Sequence, residues 1–417
     1  MKIAINGFLR VLSILPKLYL SFYLLRVWTL DDIGKFNLLS TTITILILII
    51  GLDFYNYSNR ELVNSDNQLV KGEILLRQIV FYFCIYSLLL PILYLLLRRF
   101  LPLGELEIYF FIILICEHLS QEIYRILNIL KFQITASILL AVRNTLWICI
   151  FFVTFFFNNE TEVTFSILFK SWAVGTTICT IFSFLILNSK INFKDFFFSY
   201  KRTFDFYRKS TKVVGIYFLI TILYKLLEYS GRYILNIYFD PKVLGVYSIF
   251  YQISNLMTLF IDSTIIAFLY PKLLSCLQEN DFKSFRVEVV NSTFKILLFG
   301  LAFIGVFYIL SDEVYTFIGK TELKNYDSLL LIILFSNLIY SLSFVYHYAL
   351  YSMQKDKSIF YSVIFSFILY LSTSVFIMYF NIYGVALGGF ISYSGLFFSK
   401  YFIYKNKFVL HIKKNEK

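Results

Sequence analysis

Apolar residues run along this chain in blocks of similar length, separated by short polar stretches. About 20 predominantly apolar residues carry a helix across about 30 Å of hydrocarbon at 1.5 Å per residue. Blocks of that length predict twelve spans, at about 8–28, 36–55, 74–97, 106–128, 134–157, 163–187, 213–237, 243–270, 289–310, 327–351, 358–380 and 383–404. In the fourth block the run is interrupted by Glu117, His118, Gln121, Glu122 and Arg125. The pattern predicts an all-α integral membrane protein with about 12 transmembrane helices and almost no soluble domain.

Composition agrees. The 417 residues are 59% hydrophobic and 15% charged, where a soluble domain is about a quarter charged. A net charge of +12 on a soluble protein would point to nucleic acid. Here the bases sit in short loops between apolar blocks, so membrane topology accounts for them and no nucleic-acid partner is expected. Four of the five cysteines, Cys84, Cys116, Cys149 and Cys179, lie in apolar blocks, and neither they nor Cys276 form a CxxC pair. They read as small buried hydrophobes rather than disulfides or metal ligands. Residues 1–7 carry no cleavage signal before the first block, which is expected to act as its own insertion signal.

Loop charge sets the orientation. Lysine and arginine crowd into alternate loops, above all at 190–212, 272–286 and 405–417, while the opposite loops hold Lys35, Arg98, Arg99, Lys242, Lys320 and Lys324. With an even number of spans, both termini are expected in the cytoplasm. The longest cytoplasmic connection divides the spans six and six. The predicted organisation is an N-terminal six-helix lobe (1–187), a basic cytoplasmic linker (188–212), a C-terminal six-helix lobe (213–404) and a basic cytoplasmic tail (405–417). The start of the second block, Asp31-Asp32-Ile33-Gly34-Lys35-Phe36, is echoed by Asp240-Pro241-Lys242-Val243-Leu244-Gly245-Val246-Tyr247 before the eighth. Two halves of six spans insert with the same orientation, the parallel kind of repeat, and such architectures place a substrate cavity between their lobes.

Several stretches resemble one family in order and spacing. They are Gly34-Lys35-Phe36-Asn37-Leu38, Gly51-Leu52-Asp53, Asn59-Arg60-Glu61-Leu62, Gly231-Arg232-Tyr233-Ile234-Leu235, Tyr326-Asp327-Ser328-Leu329-Leu330, Ala349-Leu350-Tyr351-Ser352 and Asn381-Ile382-Tyr383-Gly384-Val385-Ala386-Leu387-Gly388-Gly389. Across essentially the whole chain they resemble the polysaccharide flippases of the multidrug/oligosaccharidyl-lipid/polysaccharide (MOP) exporter superfamily, and within it the O-antigen repeat-unit (Wzx-type) subgroup. The resemblance implies two six-helix bundles around a central cavity in the bacterial cytoplasmic (inner) membrane. It implies translocation of undecaprenyl-diphosphate-linked oligosaccharide repeat units from the inner to the outer leaflet by alternating access, for surface polysaccharide such as O-antigen or capsule. Membrane lipid, a polysaccharide polymerase and a chain-length regulator are the partners it suggests.

Ionisable residues inside the spans point to a path for cargo, because each costs about 2.5–3.5 kcal/mol in hydrocarbon. The basic ones, Lys17, Arg143, Lys170, Lys225, Arg232 and Lys295, outnumber Glu117, Glu122, Glu228 and Asp262. A cationic cavity suits a diphosphate, so these six are the candidate substrate-binding residues. In the seventh span Thr221, Lys225, Glu228, Arg232 and Asn236 share one helix face, and Arg10, Ser13, Lys17 and Ser21 make a similar stripe in the first. Two readings of Lys225 are open: it faces a cavity, or it pairs with Glu228 at i,i+3 and holds helices together. Glu117, His118, Glu122, Glu228 and Asp262 are candidates for proton or sodium coupling or for charge balance. No HExxH motif is present, and neither a metal nor a cofactor is expected.

Two other functions compete. A multidrug exporter of the same superfamily carries cations, which a basic cavity repels. A polytopic polysaccharide polymerase or lipid-linked glycosyltransferase is expected to carry a large external loop or an acidic DxD motif, and this chain has neither. No P-loop pattern is present either, so the protein is read as a transporter and not an enzyme.

Overall fold

The computed structural model describes residues 2–63, 65, 67–100, 103–157, 162–191, 200–374 and 377–415, and the side chains of 2–8, 10–12, 68, 100, 200–202, 212–213, 216–217, 374, 377–380 and 409–415 lie outside that description. Arg10 of the first predicted stripe and much of the predicted linker therefore fall outside it.

The described residues are helical throughout. In chain order the helices are α1 (Lys2–Val27), α2 (Leu30–Gly51), α3 (Tyr55–Val63), α4 (Gln68–Phe100), α5 (Glu107–Ile129), α6 (Gln133–Phe157), α7 (Phe165–Lys190), α8 (Tyr200–Tyr238), α9 (Pro241–Ile261), α10 (Ala267–Gln278), α11 (Phe282–Ile309), α12 (Ser311–Phe317), α13 (Asp327–Ser352), α14 (Asp356–Ser374) and α15 (Ile377–Asn415). A π-helical turn at Asp262–Ile266 joins α9 to α10. Helix starts follow ordinary capping chemistry. Thr164 Oγ1 accepts from Ile167 N at 3.4 Å ahead of α7, Asp281 Oδ1 accepts from Ser284 N at 2.9 Å ahead of α11, and Pro241 opens α9. Lys131, Asn280 and Gln354 turn the chain with positive φ after α5, α10 and α13. Asn381 (φ 54°, ψ −143°) breaks α15 near its start.

Among the described residues, eight helices are long and apolar enough to cross a membrane, against about 12 expected. They cover the second, third, fifth, sixth, eighth, ninth, tenth and twelfth predicted spans. The other four predicted spans are also helices, α1, α5, α8 and α14. Charged side chains interrupt α5 and α8 at the positions singled out from the sequence.

The chain divides into two compact units. The first comprises residues 1–27 and 39–222, the second residues 28–38 and 223–417. In the first, Phe54, Leu62, Leu75, Ile123, Leu127 and Ala136 belong to one buried cluster joining α3, α4, α5 and α6. Small residues bring its helices close, as is usual in membrane packing: a Cβ added to Gly175 on α7 would meet Trp147 Cβ of α6 at 2.4 Å. In the second unit a Cβ on Gly300 of α11 would meet Leu338 of α13 at 2.2 Å, and one on Gly395 of α15 would meet Leu369 of α14 at 2.3 Å.

Candidate functional site

In the first unit the polar residues cluster around α5. Its face carrying Glu117, His118, Glu122 and Arg125 packs against α3, α4, α6 and α7, so these groups find partners inside the bundle. Glu117 Oε1 accepts from Trp172 Nε1 of α7 at 3.0 Å, and its Oε2 lies 3.6 Å from Arg143 Nε of α6. Lys17 of α1 is within electrostatic range of both Glu117 and Arg143. Arg143 Nε and Nη1 make no hydrogen bond among the described residues. Trp172 is held flat against Trp147, with ring centroids 5.2 Å apart.

One turn further along, His118 and Glu122 are buried. His118 Nδ1 is 2.5 Å from the Tyr86 hydroxyl of α4. Glu122 accepts from Tyr82 Oη at 2.6 Å, Gln78 Nε2 at 2.9 Å and Arg125 Nη1 at 2.5 Å. The Arg125 guanidinium lies 3.7 Å over the Tyr55 ring of α3. A buried carboxylate needs such a donor set. A cavity of about 30 Å³ beside Gln78, Tyr82 and Glu122 holds about one water by volume. Lys170 stands apart from this network, exposed, with its ammonium 5.8 Å from the Tyr109 ring.

In the second unit the α8 stripe meets aromatic rings. Lys225 Nζ donates to Glu228 Oε2 at 2.7 Å, so the i,i+3 pair read from the sequence is formed. The Tyr229 ring lies 5.0 Å from Lys225 and 5.3 Å from Arg232. Arg232 is buried and also covers Tyr251 of α9 at 4.9 Å. Lys295 of α11 is exposed and pairs with no carboxylate among the described residues. Beside Tyr251, a cavity of about 20 Å³ is lined by Tyr247, Ser336, Asn337, Tyr370 and Tyr393. Thr221 falls in the first unit, and Asn236 is exposed. Asp262 sits at the π-helical turn without an ion pair among the described residues.

One buried cation escaped the sequence reading. Lys400 of α15 is fully buried. Its Nζ reaches Ser343 Oγ at 3.5 Å and lies 5.1 Å from the Tyr224 ring and 5.8 Å from the Phe344 ring. His347 Nδ1 is 3.3 Å from the Tyr224 hydroxyl, and no carboxylate pairs with Lys400 among the described residues. The available signal was a single lysine in the aromatic run Phe397-Phe398-Ser399-Lys400-Tyr401-Phe402. No group of His, Cys, Asp or Glu among the described residues could hold a metal ion.

The sequence matches no family model and no curated protein sequence. Solved structures do match. An inward-facing multidrug resistance MATE family transporter of the MOP superfamily superposes with a TM-score of 0.78 at 12% identity, over 97% of this chain and 96% of that one. The lipid II flippase MurJ, in an inward closed conformation, superposes with a TM-score of 0.72 at 15% identity, over 99% of this chain and 89% of that one. The chain has the MOP transporter fold. The Vibrio cholerae MATE transporter VcmN in its bent form matches less closely, with a TM-score of 0.61 at 14% identity over 97% and 98% of the two chains.

Proposed function

We propose that the protein translocates an anionic lipid-linked oligosaccharide, of the undecaprenyl-diphosphate class, from the inner to the outer leaflet of the bacterial cytoplasmic membrane by alternating access, in surface polysaccharide synthesis. The observation that carries this reading is the set of cations buried in the helical interior. Arg143 lies 3.6 Å from Glu117, Arg232 is buried against the Tyr229 and Tyr251 rings, and fully buried Lys400 has no carboxylate partner among the described residues. Cations buried within membrane spans are costly, and a diphosphate offsets that cost. A cationic drug gains nothing from such a lining. MurJ, described as a lipid II flippase, supports the reading as a neighbour in fold with a lipid-linked cargo.

Energy need not come from a coupled ion. With the cytoplasm negative, moving two negative charges outward across 100 mV releases about 4–5 kcal/mol. Coupling to a proton or sodium gradient is the other mode, and the Glu117–His118–Glu122 network is its candidate seat. The test is deletion in the native host. Loss of surface polysaccharide with a lipid-linked oligosaccharide accumulating in the inner leaflet, rescued by wild type but not by stably inserted Arg232→Ala, is the expected result. A unit that accumulates unpolymerised outside would instead indicate a polymerase, and no accumulation would indicate a drug exporter.

A further inference from the structure

A cavity of about 270 Å³ lies within the second unit, between α11 and the π-helical turn with the start of α10. That is far larger than one water requires. Glu288, Ser292 and Lys295 of α11 face it at i, i+4 and i+7, the spacing of one helix face. Thr264, Phe268 and Lys272 close it from the other side. The π turn holds one residue more than an α-helical turn would, which rotates the segment after it and is a common device at functional sites.

The charge inside is unbalanced. Glu288 is 3.7 Å from Lys272, a loose pair. Lys295 and the buried Ser292 make no hydrogen bond or ion pair among the described residues, although both line the cavity. Two ammonium groups and a hydroxyl against one carboxylate suit a phosphate group, to which lysine binds as a point charge.

The surroundings point to a lipid as its carrier. Ile265, Phe268 and Leu269 make an apolar wall. On α11, Val290, Phe294 and Leu298 are about 60% exposed beside the cavity face, as in a lipid-facing helix surface. The turn after α10 is followed by Lys283 and Arg286, the basic end that loop-charge bias assigns to the cytoplasm. We propose that this cavity is a binding site for the phosphate headgroup of an anionic membrane lipid, held by Lys295 and Lys272 with Ser292. The lining fits the phosphate of a bulk phospholipid and of a polyprenyl diphosphate alike.

Native mass spectrometry of the full-length protein, released from phosphatidylcholine vesicles doped separately with phosphatidylglycerol or undecaprenyl diphosphate, tests this. Wild type is expected to retain one anionic lipid. Lys295→Met and Lys272→Met are expected to weaken retention about tenfold or more, the worth of one charge-assisted hydrogen bond. Lys295→Arg should keep it and Glu288→Gln should strengthen it. Preference for phosphatidylglycerol would mark a bulk phospholipid as occupant, and preference for undecaprenyl diphosphate would mark a cargo-type lipid. Either supports the site. Retention unchanged in both Met variants, or equal binding of inorganic pyrophosphate in detergent without lipid, would overturn it. Neither result bears on the flippase assay, which reads surface polysaccharide.

Discussion

Gly34 of α2 and Gly245 of α9 are packed backbone to backbone. A Cβ on Gly34 would meet Pro241 O at 2.7 Å and Gly245 N at 2.9 Å, and one on Gly245 would meet Leu30 O at 2.0 Å. Each glycine thus faces the residue four places before the other. These are the two glycines that align in the repeated sequence motif, so the repeat closes on itself here. Three positions further along α2, Asn37 Oδ1 accepts from Gln252 Nε2 at 2.7 Å.

Gly245→Ala is therefore expected to destabilise the protein by about 1–3 kcal/mol, the range for forcing a methyl into a filled space. Gly305→Ala is the control, since a Cβ there meets nothing within 4 Å and alanine favours the helix. Thermal unfolding of both variants in one detergent checks the contrast. Equal melting temperatures would remove the crossing as a tight point.

Glu117 is the acceptor for Trp172 and the counter-charge for Arg143. Glu117→Gln leaves a half-buried guanidinium unpaired, at an expected cost of about 1–3 kcal/mol. The double variant Glu117→Gln with Arg143→Met should recover most of that loss, because both members of the pair are then gone. A double-mutant cycle on thermal stability reads the coupling directly. Additive losses would mean that the 3.6 Å contact carries no energy.

Lys225→Glu sets a second carboxylate one turn from Glu228. Insertion should survive, since the position is half-buried, while translocation should fall at least about tenfold, as the path loses a cation and gains an anion. Lys225→Arg is expected to retain it. The readout is inner-leaflet lipid-linked oligosaccharide in the deletion host. Full activity of the charge reversal would leave Lys225 as a helix-pairing group alone.

Lys400→Met replaces a buried, acid-free ammonium with an apolar side chain of similar length. Replacing buried charge with apolar volume is commonly neutral or stabilising, so the melting temperature should hold or rise. Translocation should fall if the amine serves the cycle. Both readouts on one variant separate the two roles: a lower melting temperature would show that Lys400 is structural, bound in place by Ser343 and the Tyr224 and Phe344 rings.

Much of the fold was legible in the sequence, because hydrocarbon leaves a chain few choices. Backbone polar groups must be satisfied within each span, so apolar blocks of span length become helices wherever they occur, and all twelve did. The i,i+3 pair of Lys225 and Glu228 was equally legible, since helical spacing alone brings them together. The short helices α3 and α12 and the π turn were not foreseen, because they carry no length or hydropathy signal.

Partner choice across the bundle is a different matter. Glu117 was visible as a charge in a span, but whether it would meet Arg143, Lys170 or neither depended on how α5, α6 and α7 turn about their axes. Gly175 against Trp147 fixes how α7 and α6 meet, and the Trp172 indole then reaches Glu117 on α5. Lys400 was a single lysine among aromatics, and nothing along α15 said that it points inward. The sequence by itself determined the helices and the charges carried within the apolar blocks, which follow from local composition. The tertiary structure alone decided which cations are paired, that residues 28–38 pack with the second unit, and where a cavity opens beside Lys295. Those depend on contacts between residues tens to hundreds of positions apart, and such contacts are set by packing rather than by any local pattern.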